Sequence, residues 1–104
     1  MKINCEIADT FFKRLLGLSF RKSLPPNNAL WIIPCNSVHM CFMRFSIDVV
    51  YLDEEYRIKK IVTNLKPWIG LSFCLGAESV LEFTAGETMK LNLKIGQKLE
   101  LIRC

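Results

Sequence analysis

The run Cys35 to Leu52, CNSVHMCFMRFSIDVVYL, concentrates most of the side chains in this chain that could do chemistry. It holds the only histidine, two of the five cysteines and an isolated Arg44/Asp48 pair, all within apolar, strand-like sequence. Polar groups buried in such surroundings persist only when they are satisfied or used. If the run is extended, Cys35, Ser37, His39, Cys41 and Met43 share one face. His39 with Cys41, joined by Cys74, would then be a candidate metal or nucleophile site. Spacing argues against it. Cys35 and Cys41 lie about 20 Å apart on a regular strand, too far to share an ion bound at roughly 2.0–2.3 Å. No catalytic signature surrounds either cysteine, and residues two apart on a strand seldom point at each other. The alternative for His39 is a half-buried ring bonded to backbone. No metal and no cofactor is expected.

Arg44 and Asp48 are the second candidate. Their spacing puts them about 13 Å apart on a strand, and only a bulge near Ser46 would shorten that distance. Asp48 reads either as a site residue or as a carboxylate accepting backbone N–H bonds at a bend or crossing. Arg44 has the planar fork that suits carboxylate and phosphate ligands. Trp68, Phe73 and the loop between them are the third candidate, either a pocket lid or partner patch or simply a cover over one end of the core. Glu82, flanked by apolar residues, could face Arg44, or join Asp48 in acid–base work.

The elements that must position these residues are short. Residues 2–7 alternate as a strand. Asp9 or Thr10 can cap a helix from Phe11 to Leu16, with Gly17 as its stop. Pro25-Pro26-Asn27-Asn28 is a loop, and 29–33 a short apolar strand. Val38 to Leu52 reads as two strands, or as one bent near Ser46. Asp53-Glu54-Glu55 is a polar hairpin turn, and Tyr56 to Leu65 the return strand. Pro67 ends it, 68–77 is an apolar loop, and 78–83 is a strand. Met89, Leu91 and Leu93 alternate in a segment too short to exclude a helical turn. Ile95-Gly96-Gln97 turns into a last strand, 98–103. This count predicts one all-β domain over residues 1–104, a small sandwich, jelly-roll-like or barrel-like, with one short N-terminal helix.

Composition bounds the function classes. The chain has 104 residues, is 51% apolar and carries a net charge of +4. The charge is too mild and scattered for a nucleic-acid stripe. The apolar stretch Pro67–Ala77 is well short of the about 20 residues a spanning helix needs and contains Pro67, Gly70 and Gly76. Glu6 and Asp9 stand where a signal peptide would have its apolar region. No pair of cysteines has the C-x-x-C spacing. These points predict a cytoplasmic protein with free thiols, and neither membrane nor nucleic-acid binding.

The block HMCFMRFSIDVVYLDEEYRI resembles the signature of the uncharacterised family named domain of unknown function 192, with Ile47-Asp48-Val49-Val50 at its Pro-(Leu/Ile)-Asp element. Gly17-Leu18-Ser19-Phe20-Arg21 resembles an earlier Gly-Leu-x-x-Arg element. Val80-Leu81-Glu82 with Ala85-Gly86 resembles a Val-Leu-Glu-x-x-x-Gly element. Gly96 and Pro67-Trp68 also match. The resemblance implies a mainly β domain, sandwich or jelly-roll-like, and no established reaction. Three positions depart from the pattern: Ser46 replaces the usual proline, Met40 a threonine and Ile69 an arginine. The departures put part of any polar site in doubt.

The reading that combines these points is a small binding domain using His39, Arg44, Asp48, Trp68 and Glu82 for a polar or anionic small molecule or a protein segment. Two alternatives stand beside it. One is a hydrolase-like enzyme pairing His39 with Asp48 or Glu82. The other is a structural partner domain in a larger assembly.

Overall fold

The computed structural model describes residues 1–8, 28–40 and 43–103. Among the described residues, eight strands and one short helix follow in chain order: β1 (Lys2–Ala8), β2 (Asn28–Ile32), β3 (Ser37–His39), β4 (Ile47–Leu52), β5 (Ile58–Leu65), β6 (Leu71–Phe73), β7 (Ser79–Thr84), α1 (Glu87–Lys90) and β8 (Glu100–Arg103). The protein is mainly β, as its short apolar runs and frequent turn residues predict. The helix expected from Phe11 to Leu16 lies outside the described residues.

Six strands form one sheet in the order β5-β4-β7-β2-β1-β8, and β3 and β6 form a separate two-stranded ribbon. Strand β1 runs parallel to both β2 and β8, and the other pairings are antiparallel. The two outer edges of the large sheet meet. Arg57 bridges to Lys98, Ile58 N–H donates to Gln97 O at 2.9 Å, and Leu99 N–H donates to Tyr56 O at 3.0 Å. The sheet therefore curls on itself in a barrel-like way.

Every residue of β4 is buried, because both of its faces are covered. Ile47, Val49 and Tyr51 join Leu30, Ile32 and Val80 in one core cluster, which Val38 and Met40 of the ribbon side complete. Val50 and Leu52 join Ile3, Ala29, Leu81, Phe83 and Leu99 in a second cluster on the other face, inside the curl. Each such aliphatic side chain contributes about 1.5–3 kcal/mol when fully buried. Two covered faces also explain why IDVVYL shows no apolar–polar alternation.

The β4–β5 hairpin expected from the sequence forms, and its turn is built by Asp53. One carboxylate oxygen accepts the N–H of Glu55 at 2.8 Å and that of Arg57 at 3.0 Å. The Arg57 amide bond, with that from Glu55 adding to it, holds the Asp53 carboxyl below its ordinary range. The apolar loop expected over 68–77 instead contains β6. The last strand begins at Glu100 rather than at Lys98, and the segment around Met89 is the helical turn α1. None of the described helices is long and apolar enough to cross a membrane.

Candidate functional site

Asp48 is fully buried, with 0% exposure. It sits where the β4–β5 register shifts, one residue of β4 facing two of β5, and this bulge turns the Asn64 N–H toward it. Asn64 donates to Oδ1 at 2.9 Å. Oδ2 accepts from Gly86 N–H at 3.0 Å, Thr88 N–H at 3.1 Å and the Thr88 hydroxyl at 2.7 Å. Gly86 takes a φ of 92°, a left-handed conformation that a side chain disfavours, to present its amide. Four donors on one carboxylate offset the loss of its hydration. The carboxylate thus fastens β4 to the β5 bulge and to the start of α1, as the backbone-acceptor reading of its sequence position predicts.

Glu82 is also buried, on β7, but it faces the other way. It is paired with Val49 of β4 and Leu30 of β2, on the first-cluster face, whereas Asp48 is paired with Phe83 on the second-cluster face. The two carboxylates lie on opposite sides of one sheet and cannot share a proton or a substrate. The single face proposed for Cys35, Ser37, His39, Cys41 and Met43 does not form either. The strand stops at His39, residue 40 begins an irregular link, and extended pairing resumes only at Ile47. Met43 N–H turns back to Met40 O at 3.1 Å within that link. Cys41 lies outside the described residues.

His39 is exposed rather than half-buried. It stands opposite Leu71 on the outer face of the ribbon, and the inner face, carrying Val38 and Ser72, packs on the large sheet. The ribbon itself therefore separates the imidazole from Glu82, and the sheet separates it from Asp48. Arg44 is exposed in the link between β3 and β4, and all four donors on Asp48 come from elsewhere. The five predicted residues are thus not brought to one spot. His39 is on the ribbon, Trp68 sits in the turn before it and is bonded to Met40, Arg44 lies in the link between β3 and β4, and Asp48 and Glu82 are internal on opposite faces.

What the ribbon gathers instead is apolar. Trp68 is 58% exposed, Ile69 83%, Leu71 72%, Phe73 60% and Leu75 80%. The ribbon is held down from beneath. Trp68 N–H donates to Met40 O at 2.7 Å, and Gly70 N–H to Lys66 O at 3.1 Å. A Cβ on Gly70 would lie 2.6 Å from Lys66 O and 2.7 Å from Met40 Cγ, so no other residue fits there. Tyr51 donates its hydroxyl hydrogen to Ser72 Oγ at 3.0 Å, joining the ribbon to β4. Burial pushes the Tyr51 hydroxyl up to about 12. Cations border the outer face. Lys60 Nζ binds Phe73 O at 2.9 Å and stands 5.8 Å from the Phe73 ring centroid, a cation–π contact.

Sequence reasoning pointed to Trp68, Phe73 and the loop between them, which holds Leu71, but stopped short of Leu75. The signal was present: Leu71, Phe73 and Leu75 alternate with Ser72 and Cys74 across a stretch too short to stand out. It also missed a cleft of about 680 Å³ bordered by Trp31, Tyr56, Lys98, Leu99, Glu100 and Leu101, where the sheet edges meet. The Trp31 and Tyr56 rings meet edge to face there, 5.9 Å apart, and the buried Trp31 Nε1–H has no hydrogen-bond partner among the described residues.

The sequence profile of the family named domain of unknown function 192, described as "Uncharacterized ACR", matches residues 1–101. The chain belongs to this family. A UPF0127 protein of Pyrococcus furiosus is 34% identical over 105 residues, covering 96% of this chain and 88% of that one. A UPF0127 protein of Pyrococcus horikoshii is 36% identical over 100 residues, covering 91% and 84%. Among solved structures, a protein of unknown function from Novosphingobium aromaticivorans superimposes with a TM-score of 0.83 at 24% identity, covering 90% of this chain and 71% of that one. That likeness extends to the fold alone.

Proposed function

We propose that this member of the family is a cytoplasmic protein-interaction domain that binds an extended segment of another protein across the outer face of the β3–β6 ribbon. The observation that carries the reading is the run of five large apolar side chains, Trp68, Ile69, Leu71, Phe73 and Leu75, all more than half exposed. Contiguous apolar surface of this kind marks interaction sites in soluble domains. The surrounding charges favour one partner chemistry. Lys60 Nζ lies over the Phe73 ring, and Lys59 Nζ is 3.2 Å from where a Cβ on Gly76 would be. A segment alternating apolar with acidic side chains would bury the former on Leu71 and Phe73 and set the latter against these cations. The cytoplasmic placement is supported by the absence of disulfides among the described cysteines Cys5, Cys35 and Cys74.

Selection from a displayed library of random peptides tests the reading. The expected winners are rich in Asp or Glu and aliphatic residues, bind more weakly as salt rises, and lose at least about tenfold in affinity, about 1.4 kcal/mol, to Leu71→Asp. Peptides that ignore Leu71→Asp, or no enrichment at all, would overturn it.

A second reading, a small polar or anionic ligand, is favoured by the cleft beside Trp31 and Tyr56. Its volume lies within the roughly 300–1,000 Å³ usual for ligand sites, and Lys98 supplies a cation at its border. Thermal-shift screening of a metabolite panel tests this reading, since a ligand of the folded state raises the melting temperature. Hits that survive both Lys98→Ala and Trp31→Phe would place the ligand elsewhere.

A further inference from the structure

The cleft where the sheet edges meet borders the inside of the curl. Trp31 is paired with Leu81 of β7, so its side chain lies on the inner face with the second core cluster, and Leu99 and Leu101 pack there too. Beside them stands Tyr56, in a backbone conformation that its residue type disfavours. Its φ is 64°. The Tyr56 N–H donates to Asp53 O at 3.1 Å and the Asp53 N–H to Arg57 O at 3.0 Å, so a β-turn is followed by one left-handed residue before the hairpin closes. Glycine is the usual occupant of that position, because a Cβ crowds the backbone there. Asn64 and Asn92, also at positive φ, are of a type that tolerates it. Tyrosine is not, and such strain persists where the side chain is held or used. What the residue supplies is a ring 5.9 Å from that of Trp31, inclined at 70° to it and 39% exposed. The Trp31 Nε1–H is a second irregularity at the same place. It is a buried donor with no acceptor among the described residues, a loss that folded proteins rarely tolerate.

We infer that this cleft takes a flat, uncharged heteroaromatic molecule, whose ring lies against Trp31 and Tyr56 and whose acceptor atom receives the Trp31 Nε1–H, an inference that rests on the ligand reading of this cleft and takes its polar rather than its anionic form. The two rings are too steeply inclined to sandwich a ligand. A flat molecule stacks on one and meets the edge of the other, both favourable aromatic arrangements. Leu99 and Leu101 supply apolar wall. Lys98 and Glu100 set one charge of each sign at the border, which leaves no net charge to select an ion. The Tyr56 side chain, at the tip of a hairpin and partly in water, turns between rotamers quickly and so opens a way to the indole N–H. Keeping a tyrosine where glycine would strain the backbone less exchanges stability for binding, as functional sites do.

The test titrates quinolone and isoquinolone, each beside its ring-saturated lactam, into the isotopically labelled full chain while the indole N–H resonances are followed by NMR. Trp68→Phe tells the Trp31 resonance from the other. Each flat lactam should bind at least about tenfold more tightly than its saturated counterpart and move the Trp31 N–H resonance downfield, as a new acceptor does. Indole, a flat ring with no acceptor, should shift the Leu99 and Leu101 amides without that downfield move. Tyr56→Gly should weaken the flat lactams at least about tenfold while holding or raising the melting temperature, because glycine suits the turn. Tyr56→Asn makes the same comparison should the glycine variant fail to fold, and the unmutated chain alone still ranks flat against saturated probes. Saturated lactams that bind in the cleft equally well would overturn the inference and leave the cleft a ligand site. Probes that shift no resonance of the cleft would overturn both. A Tyr56→Gly chain that melts lower and keeps its affinity would make the ring a strut, and would likewise overturn the inference.

Discussion

The Asp48 site and the outer face of the ribbon are inversions of each other. One places a charge where an apolar residue would be expected, and the other places apolar side chains where charge would be expected. The inversion at Asp48 is resolved within the chain, because four donors converge on its two oxygens. The inversion on the ribbon is not, because Leu71, Phe73 and Leu75 face solvent. A buried charge held by four donors is architecture. An exposed apolar row without cover is where binding should be sought. The most polar residue of β4 therefore contributes to stability, and the apolar loop around β6 is the better candidate for function.

Three substitutions would break or sharpen this contrast, beginning with the one expected to do most. Asp48→Ala leaves the Thr88 amide and hydroxyl unpaired in the interior and takes the acceptor from the Asn64 and Gly86 amides, and should lower stability by about 3–5 kcal/mol. Urea unfolding measures it, and a loss below about 1 kcal/mol would mean that water replaces the carboxylate and the site is not architectural.

Tyr51→Phe should cost about 1 kcal/mol through the Ser72 bond. It should also remove a pH dependence. Because the Tyr51 hydroxyl is raised to about 12 in the folded state from 10.0, the unfolded state loses its proton first. Its contribution is fully present below pH 10 and lost as the pH rises from 10 toward 12. Unfolding curves across that window should show a fall in the unmutated chain that is smaller in the variant.

Phe73→Asp should change stability least, by no more than about 0.5 kcal/mol, since the ring is mostly in water already. The same variant should abolish peptide binding. A large loss of stability instead would make Phe73 part of the scaffold and dissolve the contrast.

The parts of this arrangement legible from the sequence were those encoded locally. The hairpin around Asp53 was legible because its turn chemistry and flanking β-branched residues agree. The role of Asp48 was half legible: an acid among Ile, Val and Tyr must be satisfied, but Asn64, Gly86 and Thr88 lie 16 to 40 residues away. The convergence of His39, Arg44, Asp48, Trp68 and Glu82 was misread because alternation was extended through Met40–Ser46, where backbone bonds between Met40 and its neighbours end the strand. The ribbon strands were hidden by their length, three residues each, too few for periodicity to register. The single turn of α1 was hidden likewise, since Met89, Leu91 and Leu93 fit either period.

The bulge in β5 has one more consequence. It orients the Asn64 amide onto a carboxylate that also holds Gly86 and Thr88, so three stretches remote in sequence share one acceptor. Fraying of any one would strand the others' bonds. Solvent deuterium should therefore enter those three amides at a common rate, set by opening of the whole molecule rather than by motions at its rim.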